Sequence, residues 1–317
     1  MYLRHLLFAA LNSASTVTAA YVLQDDCEGP SFQNCFNFYS GVDPTNGFVK
    51  YLNQADALSQ GLYNVTGNNV FLNVDSKNRA PNGRASLRLE SKKLYNRGLF
   101  ILDVLRMPSS TCGTWPAFWT YGPEKTWPAN GEIDIIEGIH DGTRNAMSLH
   151  TSDGCKINGT GSKGIVKTRD CFISAAGQTS NAGCGIDDQS ASSLGTPLNK
   201  AWGGIYAMQW TSSGIKMWFW PRDAVPYNLF GNTPEPETWG TPTANFAGSG
   251  CNWGTHFVNH RIVIDTTFCG DWGNAVWASN PTCSKKAATC NEYVANNPSA
   301  FKDSYWRINY LKVFKEK

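Results

Sequence analysis

Apolar positions along this chain recur mostly at period two. Ser86-Leu87-Arg88-Leu89-Glu90 alternates cleanly, which predicts a strand with one buried face. Gly98 to Leu105 is a dense apolar run, suited to a strand covered on both faces. Tyr206 to Trp210 and Ile215 to Trp220 flank a four-residue turn and predict a hairpin. Val258 to Asp265 and Tyr305 to Phe314 read as further strands, and Asn291 to Asn296 as one short helix. Helical periodicity is otherwise scarce, and clusters of Gly, Asn, Ser and Pro separate the segments. The stretch 158–193 is long, polar and cysteine-bearing, as expected of a disulfide-pinned surface excursion. No linker, repeat or low-complexity tract interrupts the pattern. Many short strands in a chain of this size predict an all-β sandwich or jelly roll, with 21–317 as a single domain.

One segment breaks the alternation. In GEIDIIEG, residues 131–138, Glu132 and Asp134 share a strand face, but Glu137 is five residues from Glu132 and a regular strand aims it to the other side. Three acids on a strand repel one another and cost stability unless they are used. A β-bulge at Ile135-Ile136 adds one residue, resets the alternation and brings all three acids to one face. A solvated strand face and a calcium site are the alternatives. Calcium takes more oxygen ligands, drawn from a flexible loop, than alternating isoleucines provide. Glycoside hydrolysis supplies a use, since it needs one carboxyl kept protonated and one ionised. Crowding splits the pKa values in that sense. Across the bulge the two glutamates act like residues four apart, about 13 Å between Cα atoms at ~3.3 Å per residue. Side chains leaning inward reach either the ~5–5.5 Å of a retaining pair or the ~6.5–9.5 Å of an inverting pair, so spacing leaves the stereochemistry open.

Composition narrows the partners. The net charge is +2 and charged residues are few, which sets nucleic acid and anionic membranes aside. With 12 Trp, 12 Tyr and 16 Phe, the chain is rich in rings that stack on sugars while their polar edges stay wet. Residues 1–20 have a basic start, an apolar run at Leu6 to Leu11 and small residues ending at Ala20, the pattern of a secretory signal peptide. The expectation is therefore a secreted, extracellular protein, without membrane attachment after signal removal, and a monomer. Ten cysteines follow, an even count that suggests up to five disulfides, with Cys27–Cys35 and Cys283–Cys290 as plausible short closures. Sequons at Asn64 and Asn158 agree with export. GTGSKG at 159–164 has neither the preceding strand nor the following helix of a dinucleotide site. His140, His150, His256 and His260 show no metal-ligand spacing, so no metal is expected.

Around the acidic signature the chain resembles glycoside hydrolase family 16, and within it the fungal laminarinase-like endo-β-1,3(4)-glucanases. Besides GEIDIIEG, the likeness rests on GRASLRLES at 83–91, CGTWPAFW at 112–119, NAMSLHT at 145–151, FCGDW at 268–272 and NNPSAF at 296–301, in the same order. The resemblance implies a β-jelly-roll of two curved antiparallel sheets with an open concave cleft. It implies a retaining double displacement on a β-glucan, with Glu132 as nucleophile, Glu137 as acid/base and Asp134 assisting between them. Trp119, Trp127, His150, Trp272 and Arg88 fall at positions that contact the glucan in the family. No cofactor is implied; a structural calcium occurs in parts of the family, but no oxygen-rich loop calls for one here. WTYGPEKTWPANGE is one residue longer between its tryptophans than the family pattern, which blurs Trp119 more than Trp127, and the Cys27/Cys35 pair is an addition. A transglycosylase on the same scaffold and a non-catalytic sugar-binding module are the competing readings. The intact acid set, which a binder does not need, favours catalysis.

Overall fold

The alternating segments assemble into two antiparallel sheets of eight strands each in the computed structural model, which describes residues 21–231 and 233–317. The expected signal peptide, 1–20, lies outside the described residues. In one sheet, Gly98–Arg106 runs between Gly204–Trp210 and Trp306–Glu316. The expected hairpin continues it, with Trp210 opposite Ile215. At the other side of Trp306–Glu316 lies Tyr21–Glu28, with Tyr21 opposite Glu316. The second sheet runs in the order Phe36–Phe38, Arg88–Ser91, Arg261–Phe268, Thr114–Tyr121, Glu132–Glu137, Ala146–His150, Cys184–Asp187 and Ile165–Val166, reading from one edge to the other.

Between the sheets Phe100, Leu102, Tyr206 and Met208 meet Phe118, Ile133 and Ile264 in the main core. Each such side chain taken out of water stabilises the fold by roughly 1.5–3 kcal/mol. Leu99 and Ile101 point the opposite way, into a second cluster under Leu229, Trp218, Trp220 and Trp239. That cover explains why Gly98 to Leu105 carries no polar alternation: both its faces are buried.

Three details depart from the expectations. The alternating run 86–90 is not one strand. Arg84–Ser86 pairs in parallel with Val49–Tyr51, and after Leu87 the chain joins the second sheet as Arg88–Ser91. The strand expected from Val258 begins at Arg261 and runs to Phe268, because Asn259 takes a left-handed backbone (φ 52°) that ends pairing before it. Cys283 and Cys290 do not bond to each other. Cys112–Cys283 and Cys269–Cys290 instead tie a helical excursion after Phe268 to the ends of two strands of the second sheet. Both cysteines sit in a third apolar cluster with Phe268, Trp277 and Phe301, so each sulfur faces the sheet rather than its sequence neighbour. Cys27–Cys35 forms as expected, and Cys155–Cys251 and Cys171–Cys184 complete the set. The expected helix spans Cys290–Asn296, capped by Thr289 Oγ1, which accepts the Glu292 N–H. No helix among the described residues is long and apolar enough to cross a membrane.

Candidate active site

Strand Glu132–Glu137 pairs with Thr114–Tyr121 in a register that slips once. Glu132 faces Tyr121 and Asp134 faces Trp119, then Ile136 faces Phe118 and Glu137 faces Ala117. Ile135 is the extra residue, so the bulge lies where the sequence places it. Ile133, Ile135 and Ile136 are all buried in the main core. Glu132, Asp134 and Glu137 therefore share the opposite, cleft face.

Neighbouring strands give each acid a polar partner. Ser148, directly across from Asp134, donates its hydroxyl to Asp134 Oδ2 at 2.9 Å. His150, across from Glu132, sets Nε2 3.2 Å from Asp134 Oδ2 and 4.0 Å from Glu132 Oε1. Its Nδ1 is buried and has no protein partner among the described residues. Trp127 Nε1 donates to Glu132 Oε2 at 2.8 Å, and Trp115 Nε1 donates to Glu137 Oε1 at 2.9 Å. Each outer glutamate thus receives one indole N–H.

Burial raises the pKa of all three carboxyls, and for both glutamates the charge of Asp134 raises it further. His150 and the two indoles pull the glutamates back down, as Ser148 does for Asp134. The cluster therefore holds protons at a pH where an exposed carboxyl has lost its own, as an acid/base pair requires. Glu132, Asp134 and His150 also bring one ligand atom each within 4.8 Å of one another, the one grouping of potential metal ligands among the described residues. The carboxylates of this grouping already accept protein hydrogen bonds, from Trp127 and Ser148.

A second row crosses the sheet beside the first. Asp265 faces Ala117 on one side and Arg88 on the other. It accepts Trp119 Nε1 at 3.2 Å and the Tyr51 hydroxyl at 2.9 Å, and burial pushes its pKa up to about 7 despite Arg88. The Arg88 guanidinium lies 4.9 Å from the Tyr39 ring centre and 5.0 Å from that of Trp119, and bonds Glu90. Arg88 is buried, so it supports Trp119 from below. Trp127 is 40% exposed at the mouth of the site, with its ring 6.4 Å from His150. Trp272, on helix Gly270–Trp277, meets Trp115 edge-on at 5.6 Å and so reaches the Glu137 end.

The structure thus brings together Glu132, Asp134, Glu137, His150 and Trp127, with Trp119 and Arg88 in the adjoining row and Trp272 joined through Trp115. Sequence reasoning quoted Trp115 without assigning it, although Trp115, Ala117 and Trp119 alternate onto one face. It passed over Asp265, which the same alternation places on the cleft face opposite Ala117.

Paired acids with elevated pKa values, set among tryptophans on the open face of a jelly roll, define the class as a glycoside-cleaving enzyme. A family model for the XgeA-like catalytic domain of glycoside hydrolase family 16 matches residues 36–314, and the chain belongs to that family. It is 46% identical over 314 residues to an endo-1,3(4)-beta-glucanase of Arthroderma benhamiae, covering 98% of this chain and 68% of that protein. To the endo-1,3(4)-beta-glucanase xgeA of Emericella nidulans it is 42% identical over 93% of its own length but only 47% of the relative's. The chain thus spans about half the length of several curated relatives it matches. Laminarinase 16A from Phanerochaete chrysosporium, solved with 6-O-glucosyl-laminaritriose in donor and acceptor sites, superposes with a TM-score of 0.88 at 39% identity, covering 94% of this chain and all of that one. An elongating family 16 β-1,3-glucosyltransferase superposes at 0.87 with 41% identity, covering 93% and 100%.

Proposed function

We propose that this chain is a secreted, endo-acting hydrolase of β-1,3 or mixed β-1,3/1,4 glucans, working by a retaining double displacement, with 21–317 as a single catalytic domain. The observation that carries the reading is the bulge at Ile135, which sets three acids on one face with an indole donor on each outer glutamate. The names of the relatives support the substrate class, and five disulfides with two sequons support export.

In the first step, the Glu132 carboxylate attacks the anomeric carbon while Glu137 gives its proton to the departing glycosidic oxygen, leaving a glycosyl ester on Glu132. In the second, Glu137, now ionised, takes a proton from water as the water displaces Glu132, which restores the β-anomer. Asp134, held by Ser148 and His150, hydrogen-bonds Glu132 when one of the two carries a proton, and so steadies its charge as it changes. These steps use carboxyls and water alone.

Reducing-end release from laminarin by wild type and Glu132→Gln tests catalysis; equal release by both sinks it. Glu137→Ala should lose turnover and regain part of it with azide, yielding a β-glycosyl azide; an α-azide contradicts retention. Products from laminarin, lichenan, barley β-glucan and carboxymethyl cellulose, compared side by side, define linkage preference. A second reading, transglycosylation, is favoured by the similarity to the elongating glucosyltransferase. Products longer than the starting oligosaccharide distinguish it from hydrolysis.

A further inference from the structure

Beyond Asp134, strand Glu132–Glu137 loses its backbone partner on one side. It pairs with Ala146–His150 only from Glu132 to Asp134. Continuing that register would set Ile135 against Met147 and Glu137 against Asn145, but the bulge breaks the ladder. The side chain of Asn145 takes its place. Its Oδ1 accepts the Glu137 backbone N–H at 2.8 Å, and its Nδ2 donates to the Ile135 carbonyl at 2.8 Å. One primary amide thus bridges both sides of the extra residue, as a peptide group does in an unbroken ladder. Its orientation is dictated, because the N–H requires an acceptor and the carbonyl a donor. Asn145 is fully buried and itself anchored: its N–H donates to Ser193 Oγ at 3.0 Å, and its carbonyl accepts the Asp188 N–H at 2.9 Å.

We propose that Asn145 is a positioning residue for Glu137 alone of the three acids. It fixes the backbone from which the Glu137 side chain springs, and so the place of that carboxyl between Trp115 and the glycosidic oxygen. Glu132 and Asp134 are held by regular pairing on both sides and do not depend on it. An ionised aspartate has no hydrogen to give Ile135, serine keeps one bond at most, and alanine leaves two buried backbone groups unpaired. The inference rests on the acid/base reading of Glu137 and deepens it.

A substrate whose leaving group departs without a proton separates the two glutamates. Asn145→Asp, Asn145→Ser and Asn145→Ala are compared with wild type and Glu137→Ala on laminarin and on a 2,4-dinitrophenyl β-laminaribioside, with melting temperatures recorded for each. On laminarin, kcat should fall on the order of 10²-fold with KM nearly unchanged, the scale of a catalytic group misplaced by about 1 Å. On the aryl glycoside, the burst of dinitrophenolate should keep its wild-type rate, because attack by Glu132 is intact. Slowed water activation should then let the glycosyl-enzyme accumulate. Loss of the burst in parallel with laminarin turnover, in variants that still fold, overturns the proposal, as does unchanged laminarin turnover. If Glu137→Ala keeps its burst while the Asn145 variants lose theirs, only the Asn145 assignment falls. If Glu137→Ala itself loses the burst, the acid/base reading falls and takes this one with it.

Discussion

Trp115 and Trp127 each aim one N–H at one glutamate, and that symmetry makes their effects separable. An indole donor stabilises the ionised carboxylate, so its removal raises the pKa of the acid it served. Trp115→Phe should let Glu137 keep its proton to higher pH, moving the alkaline limb of the kcat/KM profile upward by up to about one pH unit, the worth of one hydrogen bond. Trp127→Phe should delay ionisation of Glu132 and move the acid limb upward instead, along with a modestly higher KM from the smaller ring. Profiles with the limbs exchanged would reverse the roles of the two glutamates. Glu132, Asp134 and Glu137 were legible because their spacing violates a strand's period in a way only a bulge repairs. The donors were not: Trp115 lies 22 residues from Glu137, and periodicity does not report which atom an indole edge meets.

Among the elements, strands with a strong apolar pattern were legible, and errors arose where tertiary contacts set the boundary. Leu87 divides an unbroken alternation because Ser86 bonds onward to the Thr266 carbonyl while Arg88 enters another sheet. Disulfide partners were illegible for a similar reason, since sequence proximity says nothing of which way a helical excursion faces. Helix Gly270–Trp277 follows Cys269 directly, and the bond to Cys290 holds the segment that presents Trp272. Replacing Cys269 and Cys290 together by alanine should cost about 3 kcal/mol of stability for a loop of 21 residues. KM for laminarin should rise severalfold with kcat less affected. Calorimetry and initial rates check both; an unchanged KM would argue against the expected contact between Trp272 and substrate.

At the scale of the molecule, the cleft stores electrostatic cost that the rest of the fold offsets. Glu132, Asp134, Glu137 and Asp265 all bind protons more tightly when folded than when unfolded. Groups with raised folded pKa values stabilise the protein below their unfolded values, and that contribution is lost as pH rises toward the folded ones. Stability should therefore fall from about pH 4 to about pH 8, a window opened by ordinary carboxyl values and closed by the two glutamates. Glu132→Gln removes one carboxyl that must take up a proton to fold and should gain about 1–2 kcal/mol at pH 7, a rise of a few degrees in Tm, which largely vanishes at pH 4. A variant that melts lower at pH 7 would contradict this account. The architecture was legible from motifs that recur in family order along nearly the whole chain. Linkage preference was not, because it depends on how surface loops bend a glucan through the cleft.

The pairing of Tyr21 with Glu316 places the first and last described strands side by side, in the sheet that does not carry the acids. A short turn joining Glu316 to Tyr21 would make one more hairpin, and new ends opened at Ser212-Ser213, in an exposed turn, would leave every cleft strand whole. Such a circular permutant of residues 21–316 should keep the activity of the same segment in its unpermuted order.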